Sequence, residues 1–144
     1  MKFSTRDRYA LRLMVELANR PNDLIPLKDI SDKQRISLKY LEQIVTPLAK
    51  AGLVSSVRGA QGGYMLARPP EEITMGTLMR ILEGPISLAD CLDGDGSCNK
   101  ARACPTRLVW ERLSQCIDNV LDSVTLRDLL DDQARLSAQG KENP

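Results

Sequence analysis

Histidine is absent from the sequence. Without it, the commonest acid–base side chain near neutral pH and the commonest nitrogen ligand of metals are both excluded. The sequence also has no run of about 20 apolar residues, the length that crosses a membrane. Residues 1–8 begin like a basic signal-peptide head, but Arg12 and Glu16 interrupt the apolar stretch that must follow. We therefore expect a cytoplasmic protein that is not an enzyme and does not enter a membrane.

The four cysteines lack the paired C-x2–4-C spacing that is typical of structural zinc sites. Three of them, Cys91, Cys98 and Cys104, are separated by six and five residues in a stretch rich in Gly, Asp, Ser and Asn. Such residues sustain neither helix nor strand, so we expect a loop that can wrap around a metal centre. Because cytosolic thiols are kept reduced, metal binding or redox sensing is favoured over disulfides.

The net charge of +1 conceals an asymmetry between the two halves of the chain. Residues 1–68 carry 12 Lys and Arg against 6 Asp and Glu, whereas residues 69–144 carry 8 against 13. Phosphate neutralisation needs clustered basic side chains whatever the total charge. The N-terminal half is therefore the predicted nucleic-acid-binding part.

Apolar spacing predicts three helices in the basic half, over residues 5–20, Leu27–Gln34 and Leu38–Ala51. The tight turn between the second and third favours a helix-turn-helix over an ordinary helical hairpin once the following hairpin is considered. Pro47 lies inside the third helix, where we predict a kink. The residues expected to face DNA bases are Ser37, Leu38, Lys39, Tyr40, Glu42 and Gln43.

A β-hairpin is predicted after these helices, from the β-favouring runs Leu53–Val57 and Tyr64–Ala67 and the glycines between them. A hairpin in this place makes the fold a winged helix, mainly α with a small β-hairpin. We expect the wing tip to contact DNA through Arg58, Gly59 and Gln61. A helix over Met75–Glu83 completes a predicted DNA-binding domain of residues 1–84.

The C-terminal part is predicted to follow a cysteine-bearing loop, residues 85–104, and to hold two helices over residues 105–136. The first, from Pro105 to about Asp122, has an apolar stripe that indicates a partner helix across a two-fold axis, with a long core helix of a monomer as the alternative. Its predicted interface residues are Val109, Leu113, Cys116, Ile117 and Val120. We expect Cys116 to be a buried cysteine and not a ligand. Residues 137–144 are expected to be a disordered tail.

The chain resembles the bacterial winged-helix regulators of the IscR, NsrR and CymR kind, and within them most of all the iron–sulfur branch of the IscR type. The resemblance covers residues 1 to about 133, and its most specific stretches are Ile36–Gln43, Gly52–Gly59 and Gly62–Tyr64, together with the three spaced cysteines and the helix that carries Trp110. It implies a homodimeric transcription factor, expected to be a repressor, that binds a pseudo-palindromic operator in double-stranded DNA. The recognition helix would enter the major groove and the wing the minor groove.

By this resemblance, Cys91, Cys98 and Cys104 would hold an iron–sulfur cluster, expected as [2Fe–2S] with [4Fe–4S] as the alternative. Glu42 would discriminate between promoter classes, and Arg58 would be the wing residue inserted into the groove. The sequence departs from the family pattern in its cysteine spacing and in Arg107, which stands where the IscR type supplies a histidine ligand. We expect a weak fourth donor instead, with Asp7 of the partner chain as the first choice.

Two other readings of the cysteines remain open. Zinc, or a metal-free thiol-redox or metabolite-responsive repressor, would also use soft or reactive thiols. From a different class, the chain could be an iron–sulfur redox protein or electron carrier. The absence of a nucleotide fingerprint opposes that reading, and an electron carrier has no use for a wing.

Overall fold

The computed structural model describes residues 3–94 and 98–142. It is mostly helical with one two-stranded antiparallel hairpin, which confirms the predicted fold class. Its elements in chain order are α1 (Thr5–Asn19), α2 (Leu27–Gln34), α3 (Leu38–Lys50), β1 (Val54–Val57), β2 (Gly63–Leu66), α4 (Met75–Glu83), α5 (Pro105–Ser123) and α6 (Leu126–Glu142). Short 3₁₀ helices lie at Pro70–Glu72, Asp90–Leu92 and Ala101–Ala103.

Side-chain caps fix the starts of α1, α3 and α4, whereas α2 starts after Pro26 without one. The Ser4 hydroxyl accepts from the Asp7 N–H at 3.0 Å while the Asp7 carboxylate accepts from the Ser4 N–H, which forms a capping box. Ser37 caps α3 by accepting from the Tyr40 N–H at 3.2 Å, and Thr74 caps α4 in the same way. Each cap satisfies a backbone donor that the helix cannot, so the boundaries follow the local sequence.

The turn between α2 and α3 depends on one left-handed residue. Arg35 has φ of 54°, a conformation that side chains other than glycine seldom adopt. The Ser31 hydroxyl donates to the Ile36 carbonyl at 2.6 Å and holds the two sides of this turn together. The result is the short link of a helix-turn-helix.

The hairpin is anchored to the segment before α2. The register of the two strands pairs Val54 with Leu66. An isolated antiparallel bridge joins Ile25 to Tyr64 of β2, in which the Ile25 N–H donates to the Tyr64 carbonyl at 2.9 Å. Gly63 sits where a Cβ would lie 2.7 Å from the Ile25 carbonyl carbon, so a larger residue does not fit. The wing therefore projects from a fixed base.

A single apolar core joins α1 to α4, the hairpin base and the start of α6. Residues with no accessible surface in it include Leu13, Leu17, Leu41, Leu48 and Ile73. Leu126, at the start of α6, is also fully buried. Two backbone hydrogen bonds of 2.9 Å, from the Met75 N–H to the Val124 carbonyl and from the Leu126 N–H to the Ile73 carbonyl, fix the α5–α6 junction to this core.

One expectation for the C-terminal part was wrong. Residues 137–142 belong to α6 and are helical, whereas a disordered tail had been expected over residues 137–144; residues 143–144 lie outside the described part. Cys116 is exposed in the single chain, on the side of α5 opposite Asp118, and its burial against a second chain stays a prediction. Pro47 lies inside α3, and the kink there stays a prediction. Among the described helices, none is long and apolar enough to cross a membrane.

Candidate DNA-binding surface and cysteine segment

The exposed face of α3 carries most of the residues predicted to face DNA bases. Ser37, Leu38, Lys39, Glu42 and Gln43 are exposed, while the apolar side chains of the same helix are buried. A helix with one side in the core leaves its other side free to enter a groove.

Tyr40 is the exception in this set, because it is half-buried. Its ring packs edge-on against Tyr9 of α1, with the ring centroids 5.7 Å apart and the planes at 84°. The guanidinium carbon of Arg12 lies 5.7 Å from the centroid of the Tyr9 ring on α1. Tyr40 therefore links the recognition helix to α1 as well as lying at its surface.

The wing tip is exposed and polar. Arg58, Gly59 and Gln61 all lie in the turn between β1 and β2 and are exposed. Gly59 has φ of 115°, and at Gly62 a Cβ would lie 2.0 Å from the Val57 carbonyl oxygen, so this turn requires glycine at both positions. The turn presents Arg58 beside backbone that carries little side-chain bulk.

The structure adds residues that the sequence analysis had not assigned to DNA contact. A cleft of about 530 Å³ along α3 is lined by Arg6, Lys39, Glu42, Gln43, Thr46, Pro47 and Lys50. Helical spacing from Glu42 could have identified Thr46 and Lys50. Arg6 lies on α1 and donates to the Leu82 carbonyl at 3.0 Å, and only the tertiary packing brings it to this cleft.

The three clustered cysteines flank the start of α5. Cys91 lies in the 3₁₀ helix Asp90–Leu92 and is half-buried, Cys98 is exposed, and Cys104 is the half-buried N-cap of α5. All are free thiols. In the described residues, no three Cys, Asp or Glu side chains lie close enough together to hold a metal ion. The three thiols are therefore near one another in sequence, but their side chains do not form a preassembled metal site in the described residues.

Hydrogen bonds at the α5 N-terminus stabilise the Cys104 thiolate. The Thr106 hydroxyl lies 3.0 Å from the Cys104 sulfur. That contact, with further hydrogen bonding to the Arg107 and Thr106 backbone, lowers the pKa of Cys104 below the usual thiol value. A lowered thiol pKa suits both metal ligation and thiol chemistry, since the thiolate is the reactive form in each.

Arg107, the departure from the family pattern, belongs to a polar cleft. It pairs with Glu111 at 3.2 Å, one turn along α5. Both residues line a cleft of about 580 Å³ that also includes Leu92 and Asp93. An arginine stays protonated and is a very poor metal ligand, so this position supplies charge and not a bond to a metal.

Asp7, the expected fourth donor, is buried within its own chain. Burial, reinforced by the nearby carboxylate of Glu83, raises the pKa of Asp7 above its usual range. Its Oδ2 takes part in the capping box, whereas its Oδ1 has no hydrogen-bond partner among the described residues. Asp7 also lines a cavity of about 230 Å³ with residues 83–87, next to the start of the cysteine segment. The Oδ1 of Asp7 is buried, so it would bind a metal on a partner chain only after the start of α1 moves.

Helix α5 leaves an apolar face uncovered. None of its 19 residues is buried, and Val109, Leu113 and Val120 are 48%, 45% and 61% exposed. At 3.6 residues per turn these lie on the side of the helix opposite Asp118, which pairs with Arg80 of α4 at 3.5 Å. The face carries the five predicted interface residues, of which Ile117 is half-buried and Cys116 exposed. Apolar area of this kind is typical of a surface that another helix covers.

Comparisons with known proteins agree with this geometry. The profile of the family Rrf2, described as "Iron-dependent Transcriptional regulator", matches residues 3–132. The regulator CymR of Bacillus subtilis is 44% identical over 130 residues, 90% of this chain and 89% of its own length. The regulator IscR of Klebsiella pneumoniae is 36% identical over 144 residues, 99% of this chain and 88% of its own.

Solved structures of the same two regulators match the fold. The structure of CymR, described as the global cysteine regulator of B. subtilis, superposes with a TM-score of 0.76 at 43% identity, covering 91% of this chain and 97% of that one. T. potens IscR gives a TM-score of 0.76 at 41% identity, covering 92% and 88%.

Proposed function

The chain belongs to the Rrf2 family of DNA-binding transcriptional regulators, and on that premise we propose that it is a homodimeric cytoplasmic repressor whose cysteine segment senses iron–sulfur or redox status. The observation that carries the proposal is the position of Cys104. It is the N-cap of α5, so the predicted sensing residues continue directly into the predicted dimer helix. A change at Cys104 would therefore reach α5 without an intervening linker.

Dimerisation through α5 is the first part of the proposal. The uncovered apolar face supports it, because a second copy would bury Val109, Leu113 and Val120 across a two-fold axis. Two recognition helices related by that axis would read a pseudo-palindromic operator, with α3 in the major groove and the wing tip at Arg58 in the minor groove.

An iron–sulfur cluster at the three cysteines is the second part. The donor chemistry fits, since free thiols are the usual cluster ligands and hydrogen bonds already lower the pKa of Cys104. When bound, the cluster would supply an oxidisable or nitric-oxide-reactive centre. Cys91, Cys98 and Cys104 would hold it, in the expected [2Fe–2S] form, and Asp7 of a partner chain is the proposed fourth donor.

Helix α5 provides a route from the cysteines to the DNA-binding part. Arg80 of α4 pairs with both Asp118 and Asp122 of α5, and backbone bonds fix the end of α5 to the core. Ordering or release of the cysteine segment at the start of α5 would then shift a pre-existing equilibrium between two relative orientations of the recognition helices.

Metal analysis of the protein purified without oxygen tests the cluster. We expect iron and sulfide together with visible absorption, which Cys→Ser at position 91, 98 or 104 abolishes. Cys116→Ser is the matched control and keeps the absorption, while Asp7→Ala shifts the spectrum and speeds cluster loss in air. Full absorption in Cys98→Ser, or stoichiometric zinc in place of iron, would overturn the cluster proposal and leave the family assignment intact.

A metal-free thiol switch is the second candidate. It is favoured by the lowered pKa of Cys104 and by similarity to a protein described as a global cysteine regulator. In that case the iron-free protein binds its operator, and mild oxidation changes the affinity in the wild type but not in Cys104→Ser. This candidate would be excluded if the affinity for the operator changed with iron content but did not change when the iron-free protein was oxidised.

A further inference from the structure

We infer that the edge of α1 formed by Arg6, Tyr9 and Arg12 is a second DNA-contacting surface, which binds the phosphate backbone beside the groove that α3 enters. The inference rests on the DNA binding of the family and adds a surface outside the recognition helix and the wing. We call these three residues the α1 edge.

The α1 edge is built onto the recognition helix by aromatic packing. Tyr9 meets the ring of Tyr40 edge-on at 5.7 Å, and Tyr40 lies in the first turn of α3 beside the Ser37 cap. Arg12 lies over the Tyr9 ring, with its guanidinium carbon 5.7 Å from the ring centroid. Tyr9 thus holds a cation in a defined place next to the exposed start of α3.

Arg6 extends the same edge along α3. It lines the α3 cleft together with Lys39 and Lys50. Arg6 and Arg12 stand three residues before and after Tyr9, about 4.5 Å along the helix on either side at 1.5 Å per residue. The α1 edge therefore runs beside the DNA-facing side of the recognition helix.

The charge of Arg12 at this edge is not neutralised by an acidic side chain of the described residues. Arg12 is exposed and makes no ion pair within residues 3–94 and 98–142. By contrast, Arg20 at the other end of α1 pairs with Asp23 at 3.2 Å, and Lys33 of α2 pairs with Glu16 at 2.9 Å. An unpaired guanidinium beside a DNA-reading helix suits a polyanion such as the phosphate backbone.

Groove dimensions explain why phosphates are the target and not bases. The major groove of B-DNA is about 12 Å wide and admits one helix. With α3 inside it, a second helix packed alongside must lie over the rim of the groove, where the phosphates are. The α1 edge should therefore add affinity without adding sequence preference.

Salt-dependent binding of an Arg12→Ala variant tests this. The probes are an operator obtained by binding-site selection and a 30-base-pair duplex of random sequence. Loss of one phosphate contact should lower the slope of log K against log salt by about 0.9 and weaken binding about eightfold at 0.1 M salt on both duplexes. Arg20→Ala, at the C-cap of α1 and already paired with Asp23, is the matched control and should change neither quantity.

Tyr9 variants separate positioning of Arg12 from folding. Tyr9→Phe keeps the ring and should bind DNA like the wild type, whereas Tyr9→Leu should weaken DNA binding about threefold. In an Arg12→Ala background, Tyr9→Leu should weaken binding by less than about threefold. The reason is that Tyr9 contributes by positioning Arg12, so its effect is smaller once Arg12 is gone. Circular dichroism melting establishes that each variant is folded. An unchanged slope for both Arg12→Ala and Arg12→Gln would overturn the inference, whereas a wild type that binds neither duplex would overturn the DNA-binding assignment itself.

Discussion

The winged-helix part and helix α5 use apolar side chains for opposite purposes. In residues 5–84, most of the leucines and isoleucines that follow helical spacing are buried, and Leu13, Leu41 and Leu48 have no accessible surface. In α5 the same spacing leaves Leu113 and Val120 about half exposed or more. A periodic apolar stripe thus identifies a face that will be covered, but the chain that covers it can be the same one or another.

One chain is therefore enough to bury the apolar side chains of the winged-helix part, whereas those on the exposed face of α5 need a second molecule. The winged-helix part closes its core within one chain, with Leu126 of α6 included. Helix α5 is held at its C-terminal end by the core and in its C-terminal half by the Arg80 ion pairs. The cysteine segment lies at the other, less anchored end of α5. A change in the cysteine segment would therefore move the end of α5 that the single chain holds with the fewest interactions.

The largest effect should come from opening the core. Leu48→Ala removes a fully buried side chain and should lower the free energy of unfolding by about 2–5 kcal/mol, measured by urea denaturation with circular dichroism. Leu113→Ala deletes the same atoms from α5. Its cost should be smaller and should vanish on dilution, because only a second chain buries this residue. Equal and concentration-independent losses would erase the distinction between the two regions.

Charges on the α5 face should then abolish dimerisation without unfolding the domain. Leu113→Glu with Val120→Glu places two carboxylates in the proposed interface, and we expect sedimentation to show monomers with an unchanged far-ultraviolet spectrum. Operator affinity should fall about a hundredfold, because the two half-sites are no longer bound as one unit. The matched control, Gln115→Glu, lies about 120° around the same helix from Val109 and should stay dimeric. Monomeric wild type at micromolar concentration would contradict the interface.

Within the DNA-binding part, a smaller difference should separate the wing from the recognition helix. Arg58→Ala should lower the salt slope by about one unit on every duplex, as expected for a contact with the backbone or minor groove. Glu42→Ala should change which sites are selected, because its carboxylate repels phosphate and can accept a hydrogen bond from cytosine. Identical site preferences for Glu42→Ala and the wild type would contradict this assignment.

The sequence analysis was accurate for features that local sequence determines and inaccurate for features that depend on packing between distant segments. The bounds of α2 and α4 were predicted to the residue. Those of α4 follow from Thr74 and Gly84, which are local signals that need no tertiary information. The burial of Leu126 and the place of Arg6 in the α3 cleft were not predicted, since both depend on packing between distant segments. Local rules also missed the helical residues 137–142, which are polar and exposed up to Gly140.

The candidate sites divide in the same way. The exposed α3 face and wing tip could be read from helical periodicity and turn glycines. The arrangement of Cys91, Cys98 and Cys104 could not, because a cage for a metal forms only with the metal and its fourth donor. The cysteine spacing predicts which residues would be ligands, but their geometry around a metal depends on the metal being bound.

The smallest predicted effect lies at the junction of the two regions, where Cys104 caps α5. The Thr106 hydroxyl is the main cause of the lowered pKa of Cys104, so Thr106→Val should raise that pKa. Because the thiolate reacts and the thiol does not, alkylation of Cys104 by iodoacetamide in iron-free protein should then require a higher pH than in the wild type. Mass spectrometry of each cysteine over a pH series gives the two profiles, and Cys116 in the same samples is the internal control, with a profile that Thr106→Val leaves unchanged. An unshifted Cys104 profile would mean that this hydroxyl does not hold the thiolate and that the start of α5 is no more reactive than the rest of the helix.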